Sequence, residues 1–408
     1  MTKRNFEKLI CTAFVNGLLY MTFYSSVFAG RYVSCDADDA ESLSWRGEFG
    51  THCDGLKSIN FLINTIAFTV TGICQCILPN LYREWGTVKA IRVSMLCLCI
   101  FGFTSVWKVT ARNWYTFAIA RAVTMGSSSC TMAVIITWFL QDIEASEKKV
   151  WNTNLVILSM FTYMLYSPLT LMVRYVIQPY IDQAMWRVLY ASILICLFFM
   201  YGVLQTVILS MESTNVTVHK KSPKLAEQVD VAPPISHRAK FFFLAFFNNF
   251  SITYISLQAT GLMEGGIHLS FILASIALTL TKPLLFLLPG ELKTNVVISV
   301  FVMLGFLGLA LPIWDFDLLD AAYVDWIRFG VLSTCYALLG LSANTLVYIV
   351  SVMENTGKRL FLLAAVFSGQ SVAAALSPVL QQIGEHDERI AFSICCFNAL
   401  MYFFISFA

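Results

Sequence analysis

Residues 212–240 read ESTNVTVHKKSPKLAEQVDVAPPISHRAK, a short polar segment that divides an otherwise apolar chain. Six apolar stretches precede it, near residues 8–28, 57–80, 88–108, 112–140, 150–173 and 186–210. Six follow it, near 239–262, 267–289, 293–314, 326–352, 360–383 and 388–408. A helix rises 1.5 Å per residue, so about 20 apolar residues cross a hydrocarbon core of roughly 30 Å. Every stretch is long enough for that. The pattern predicts an all-α membrane protein of twelve transmembrane helices in two pseudo-symmetric six-helix bundles. The expected division is an N-terminal bundle over 1–211, a cytoplasmic linker over 212–238 and a C-terminal bundle over 239–408.

Composition agrees. Hydrophobic residues make up 58% and charged residues 13%, where soluble domains carry about 25% charged. The net charge of +2, with no basic run interleaved with aromatics, gives no footing to nucleic acid. The first apolar stretch follows Lys3, Arg4 and Lys8 but has no clear small-x-small cleavage site, so it is read as the first span rather than a signal peptide.

Alternating the spans from a cytoplasmic N-terminus puts sixteen Lys and Arg residues on the inner side and nine on the outer. That is the direction of the positive-inside rule. The outer loops are acidic, with Asp36, Asp38, Asp39, Glu41, Glu48 and Asp54 in the first. Both termini and the linker are expected in the cytoplasm. The plasma membrane is the default location, with an internal membrane as the alternative.

Two cations remain unassigned, Arg121 in span 4 and Lys282 in span 8. A cation at membrane depth costs several kcal/mol unless it faces the bundle interior or a wet cavity. Lys282 therefore predicts a positive wall in a central cavity, suited to an anionic or polar solute. The alternative is pairing with backbone carbonyls or reaching the inner interface. Arg121 lies about nine residues into its span and reads equally as interfacial. No carboxylate lies well inside a span. Proton-coupled carriers use intramembrane Asp, Glu or His as relays, so facilitated diffusion or exchange is expected rather than proton symport.

Other polar residues share helix faces. Tyr254 and Gln258 in span 7 are four apart, as are Asn344 and Tyr348 in span 10 and Asn16 and Tyr20 in span 1. Gln370 and Ser371 lie in span 11. A cavity with such a set and one lysine would suit an amphipathic organic anion, the tyrosines supplying apolar contact with a polar tip. Helix–helix hydrogen bonding is the alternative for each residue. Most of the twelve cysteines fall in or near spans as packing residues. Cys35 and Cys53 share the first outer loop and are expected to form a disulfide there, two free thiols being the alternative. The five histidines form no cluster. No metal-ligand set or nucleophile–base arrangement is visible, so an enzyme and a cofactor are not expected. The expected partners are a small organic ion and the lipid bilayer, and the expected state is a monomer.

Six plus six spans around a cytoplasmic middle resemble the major facilitator superfamily, whose folds are built from internal repeats with substrate near the midplane. Within it the chain resembles the organic cation and organic anion transporters, the anion type slightly more. The stretch FFNNFSITYISLQATGLMEGGIHLSFILASIALTLTKPLLF, residues 246–286, is similar to the family's paired aromatics and Gly-rich outer turn. Tyr254 stands at the second of two tyrosines, and Lys282 where anion-type members carry lysine. Arg121 matches the arginine opening span 4, and Trp186-Arg187 the Trp-Arg before span 6. Tyr348, Glu354, Thr356 and Arg359 resemble a Tyr…Glu…Pro-Thr…Arg signature after span 10.

The departures concern gating. The loop between spans 2 and 3 normally carries Gly-x-x-x-Asp-Arg-x-Gly-Arg-Arg. Here Arg83, Glu84 and Gly86 stand in Pro-Asn-Leu-Tyr-Arg-Glu-Trp-Gly-Thr-Val, with acid and base exchanged. The symmetry-related loop keeps only Glu291 and Lys293, and Ser371 is neutral where the family carries a charge. By resemblance Arg83, Glu84, Gly86, Glu291 and Lys293, with Glu354 and Arg359, form the cytoplasmic gate. The departures motivate an alternative reading: a transporter-derived membrane protein without transport activity, acting as sensor or scaffold.

Overall fold

The computed structural model describes residues 3–29, 57–110, 113–141, 143–144, 146–177, 180, 185–218, 233–258, 292–311, 321–352 and 356–407. The helices are α1 (Lys3–Ala29), α2 (Lys57–Val106), α3 (Trp114–Gln141), α4 (Lys148–Met164), α5 (Tyr166–Met172), α6 (Met185–Val218), α7 (Ile235–Gln258), α8 (Leu292–Ala310), α9 (Ala321–Ser351), α10 (Thr356–His386) and α11 (Glu388–Phe407). Eight helical stretches among the described residues are long and apolar enough to cross a membrane. The eighth predicted span, 267–289, lies outside the described residues.

α2 contains 50 residues, about 75 Å if straight, more than twice a bilayer's thickness. It is two legs joined at Gly86, whose φ of 73° and ψ of 169° leave the helical region. Only glycine adopts that backbone without strain. Nothing lies within 4 Å of where its Cβ would sit, so conformation rather than space demands the glycine. The predicted fifth span is likewise broken: α4 ends at Met164, and Pro168 stands in the first turn of α5. Proline has no N–H for the carbonyl four residues back and is tolerated in a first turn. A π-helical turn, Val173–Ile177, follows α5.

The described chain falls into two units, 1–232 with 353–364, and 233–352 with 365–408. In the first, α3 is the centre, packed most extensively on α2 and also on α1. Its span is 89% buried, against 28% for that of α6. The composition explains this. Gly126, Ser127, Ser128, Ser129 and Cys130 admit close neighbours all round the helix, whereas α6 shows lipid-type residues such as Ile195, Phe198 and Phe199 at its surface. α1 crosses α4 tightly at Gly17, where a Cβ would come within 2.6 Å of the Ser159 carbonyl oxygen. In the second unit α8 packs chiefly along α11, and α7 lies on both α11 and α9. There Tyr254, Phe392 and Phe306 form an aromatic core, with ring centroids 5.9 and 6.5 Å apart.

Candidate functional site

In the first unit the α2–α3 interface gathers the polar groups. Arg121 is 2% exposed. Its Nη2 donates to Asn64 Oδ1 at 3.1 Å, and its guanidinium lies 5.8 Å from the Phe117 ring centre. Arg121 is seven residues from the start of α3, about 10 Å along the axis. The aromatic face and the amide oxygen are both favourable neighbours for a guanidinium at that depth. Farther along, Gln75 Nε2 donates to Ser129 Oγ at 2.6 Å and Thr131 Oγ1 to Ser94 Oγ at 2.9 Å. Asn16 Nδ2 donates to Ser159 Oγ at 3.2 Å across the α1–α4 crossing, and Tyr20 is half-buried one turn on. Asn64, Gln75 and Ser129 were not singled out from sequence. The run of small residues at 126–130 was the available signal, because it brings α2 close enough for its amides to reach.

A second cluster caps the end of α3. The last four carbonyls of a helix have no intrahelical partner and carry the negative end of its dipole. Lys8, 2% exposed, donates to the Trp138 carbonyl at 3.0 Å and lies 4.4 Å above its ring. Arg359, 1% exposed, reaches from the first turn of α10 to the Thr137 carbonyl, one residue before those four, at 3.5 Å. Tyr82 stands within electrostatic range of Arg359, and its hydroxyl pairs with Thr87 Oγ1 at 2.7 Å across the Gly86 turn. The cations of α1 and α10 thus meet backbone oxygens of α3. Glu84 and Gly86 are exposed. The side chain of Arg83 and the whole of Glu354 lie outside the described residues.

The second unit holds the remaining candidates. Tyr254 is wholly buried against Phe392. Asn248 Nδ2 donates to the Leu339 carbonyl at 3.1 Å and Asn249 Nδ2 to the Gln370 carbonyl at 2.8 Å. Asn344 donates to the Gly340 carbonyl and Ser371 to that of Phe367, each within its own helix. Tyr348 and Gln370 are half-buried, and Lys293 is exposed. Asn249 therefore joins α7 to α10 beside Gln370, while Asn344 and Ser371 spend their polar groups locally. Lys282, Glu291, Cys35, Cys53 and the side chain of Gln258 lie outside the described residues. Among the described residues no three His, Cys, Asp or Glu side chains are grouped to hold a metal.

No family model matches the sequence, and no curated protein matches it. Solved structures do. The proton:xylose symporter XylE, bound to 6-bromo-6-deoxy-D-glucose, superposes with a TM-score of 0.71 at 13% identity, over 97% of this chain and 94% of that one. The human organic anion transporter MFSD10 gives 0.63 at 13% identity over the full length of both chains. A bacterial homologue of the iron transporter ferroportin gives 0.65 at 10% identity, over 100% of this chain and 99% of that one. The fold is that of the major facilitator superfamily, an all-helical, multi-span membrane architecture.

Proposed function

We propose that the chain is a transmembrane transporter of small organic ions that works by alternating access, with anionic or zwitterionic solutes favoured. The reading is facilitated diffusion or exchange across the plasma membrane, with both termini cytoplasmic and bundles over 1–211 and 239–408. The observation that carries it is Arg121, a cation held 2% exposed in the most buried helix of a transporter fold. A buried cation is costly, and here it sits against an amide and a ring. Service to an anionic solute gives it a reason to be kept. The full-length likeness to a protein described as an organic anion transporter supports the same direction. Lys282, placed by sequence resemblance, adds a second cation to this reading. Tyr348, Gln370, Asn16, Tyr20 and Gln258, singled out from sequence, are the further candidates for polar contact with the solute.

The test is uptake of labelled organic anions, cations and zwitterions into vesicles holding the purified protein, beside Lys282→Ala and Arg121→Gln. Saturable anion uptake lost in both variants supports the reading. Anion uptake indifferent to both changes keeps a transporter and removes the site. No uptake by intact, folded protein sinks the transport reading.

A second reading, a transporter-derived sensor or scaffold, draws on two observations. The end of α3 is bound by Lys8 and Arg359 through carbonyl oxygens, and Asn344 and Ser371 are turned to their own helices. The same uptake panel separates the two.

A further inference from the structure

A cleft of about 660 Å³ opens in the first unit where the second leg of α2 ends beside the start of α6. Its rim carries two cations. Lys108 is exposed. Arg187 is 2% exposed, and its Nη1 donates to the Val106 carbonyl at 2.7 Å. The Trp186 ring lies 4.6 Å from the same guanidinium, so that charge is fixed in the wall. Below the rim, Val188 and Ala191 form an apolar floor.

That floor continues along α6. Val188, Ala191, Ile195 and Phe199 recur at helical spacing on one face, and Ile195 and Phe199 are exposed on the surface of the unit. From Val188 to Phe199 is eleven residues, about 16 Å, which is the depth of one leaflet's hydrocarbon. Trp107, exposed at the rim, has the place of an interfacial aromatic. The cleft therefore joins a cationic head to an apolar track one acyl chain deep, open to the membrane.

We infer that this cleft binds a membrane phospholipid, its phosphate at the exposed Lys108 with the buried charge of Arg187 behind it, and one acyl chain along the α6 face. Arginine and lysine are the side chains suited to phosphate oxygens, and the apolar track leading from them suits an acyl chain. The Trp186 ring beside Arg187 packs on the Phe117 ring beside Arg121, centroids 5.3 Å apart, but the inference does not depend on which solute the protein carries.

The experiment is titration of the purified full chain in detergent with dioleoylphosphatidylglycerol, dioleoylglycerol or inorganic phosphate at constant ionic strength, read by native mass spectrometry. Two variants accompany it: Lys108→Glu, at an exposed position, and Ala191→Trp, which fills the floor without changing charge. The phospholipid is expected to bind more tightly than the diacylglycerol. Lys108→Glu weakens the phospholipid by about tenfold, the scale of reversing one basic charge beside an anionic headgroup, and leaves the diacylglycerol unchanged. Ala191→Trp weakens both lipids. Equal affinity for the two lipids, or phospholipid binding unchanged in both variants, overturns the inference. Displacement of the phospholipid by inorganic phosphate at equal concentration overturns its lipid part and assigns the cleft to a free anion.

Discussion

Gly369→Ala tests the packing that holds the second unit's polar residues together. A Cβ at Gly369 would lie 2.3 Å from the Phe242 carbonyl oxygen, 3.1 Å from its carbon and 3.2 Å from Ala245 Cβ. An ordinary carbon–oxygen contact is about 3.3 Å, so α7 and α10 must part by about 1 Å. The obstacle is backbone, so no rotamer change relieves it. Parting also stretches the Asn249–Gln370 bond from 2.8 Å to about 3.8 Å, beyond hydrogen-bonding range. Overpacking costs about 1–3 kcal/mol, and an interhelical bond in a membrane protein contributes about 0.6 kcal/mol. The expected loss is about 2–3.5 kcal/mol. The assay is reversible unfolding in mixed micelles titrated with sodium dodecyl sulfate. Gly330→Ala is the control, since nothing lies within 4 Å of its Cβ position. It should stabilise by up to about 1 kcal/mol through helix propensity. Equal or greater stability in Gly369→Ala would refute the close α7–α10 contact.

Three further outcomes are expected. Gly86→Ala places a side chain at a φ of 73° and should cost about 1–2 kcal/mol in the same titration, with no contribution from steric contact. Lys8→Met removes the bond to the Trp138 carbonyl and the favourable charge at the end of α3. It should cost about 1–2 kcal/mol, and more protease cleavage near residues 141–148 is the independent readout. Arg328 and Glu388 pair between α9 and α11 with side chains 21% and 38% exposed; a double-mutant cycle should give a coupling below about 1 kcal/mol, and a larger value would show the pair to be shielded.

Helices and their order were legible in residue spacing, because a bilayer demands runs of about 20 apolar residues whatever else the chain does. Arg121 was legible too, as a charge where none is comfortable. Lys8 was not. Four residues from Arg4 in a basic N-terminal turn, it reads as one more inner-side cation, and only folding carries it onto a carbonyl 130 residues away. The α4–α5 break was half visible. Pro168 within the predicted fifth span permits a bend, but a hydropathy window cannot tell a kinked span from two helices. Asn344 shows the converse. Its spacing from Tyr348 pointed to a shared polar face; that its amide bonds back to Gly340 was set by rotamer and neighbours.

Composition and periodicity alone determined that this chain spans a membrane many times, since burial of backbone polar groups in lipid leaves helices as the only economy for such a sequence. The tertiary structure alone decided that α3 is the buried axis of its unit, that Arg121 meets Asn64, and that Lys8 and Arg359 close on the end of α3. Those contacts join residues 57 to 222 positions apart. Nothing local specifies them: they follow from which small residues let which helices approach, and from where each helix end leaves a carbonyl for a cation to find.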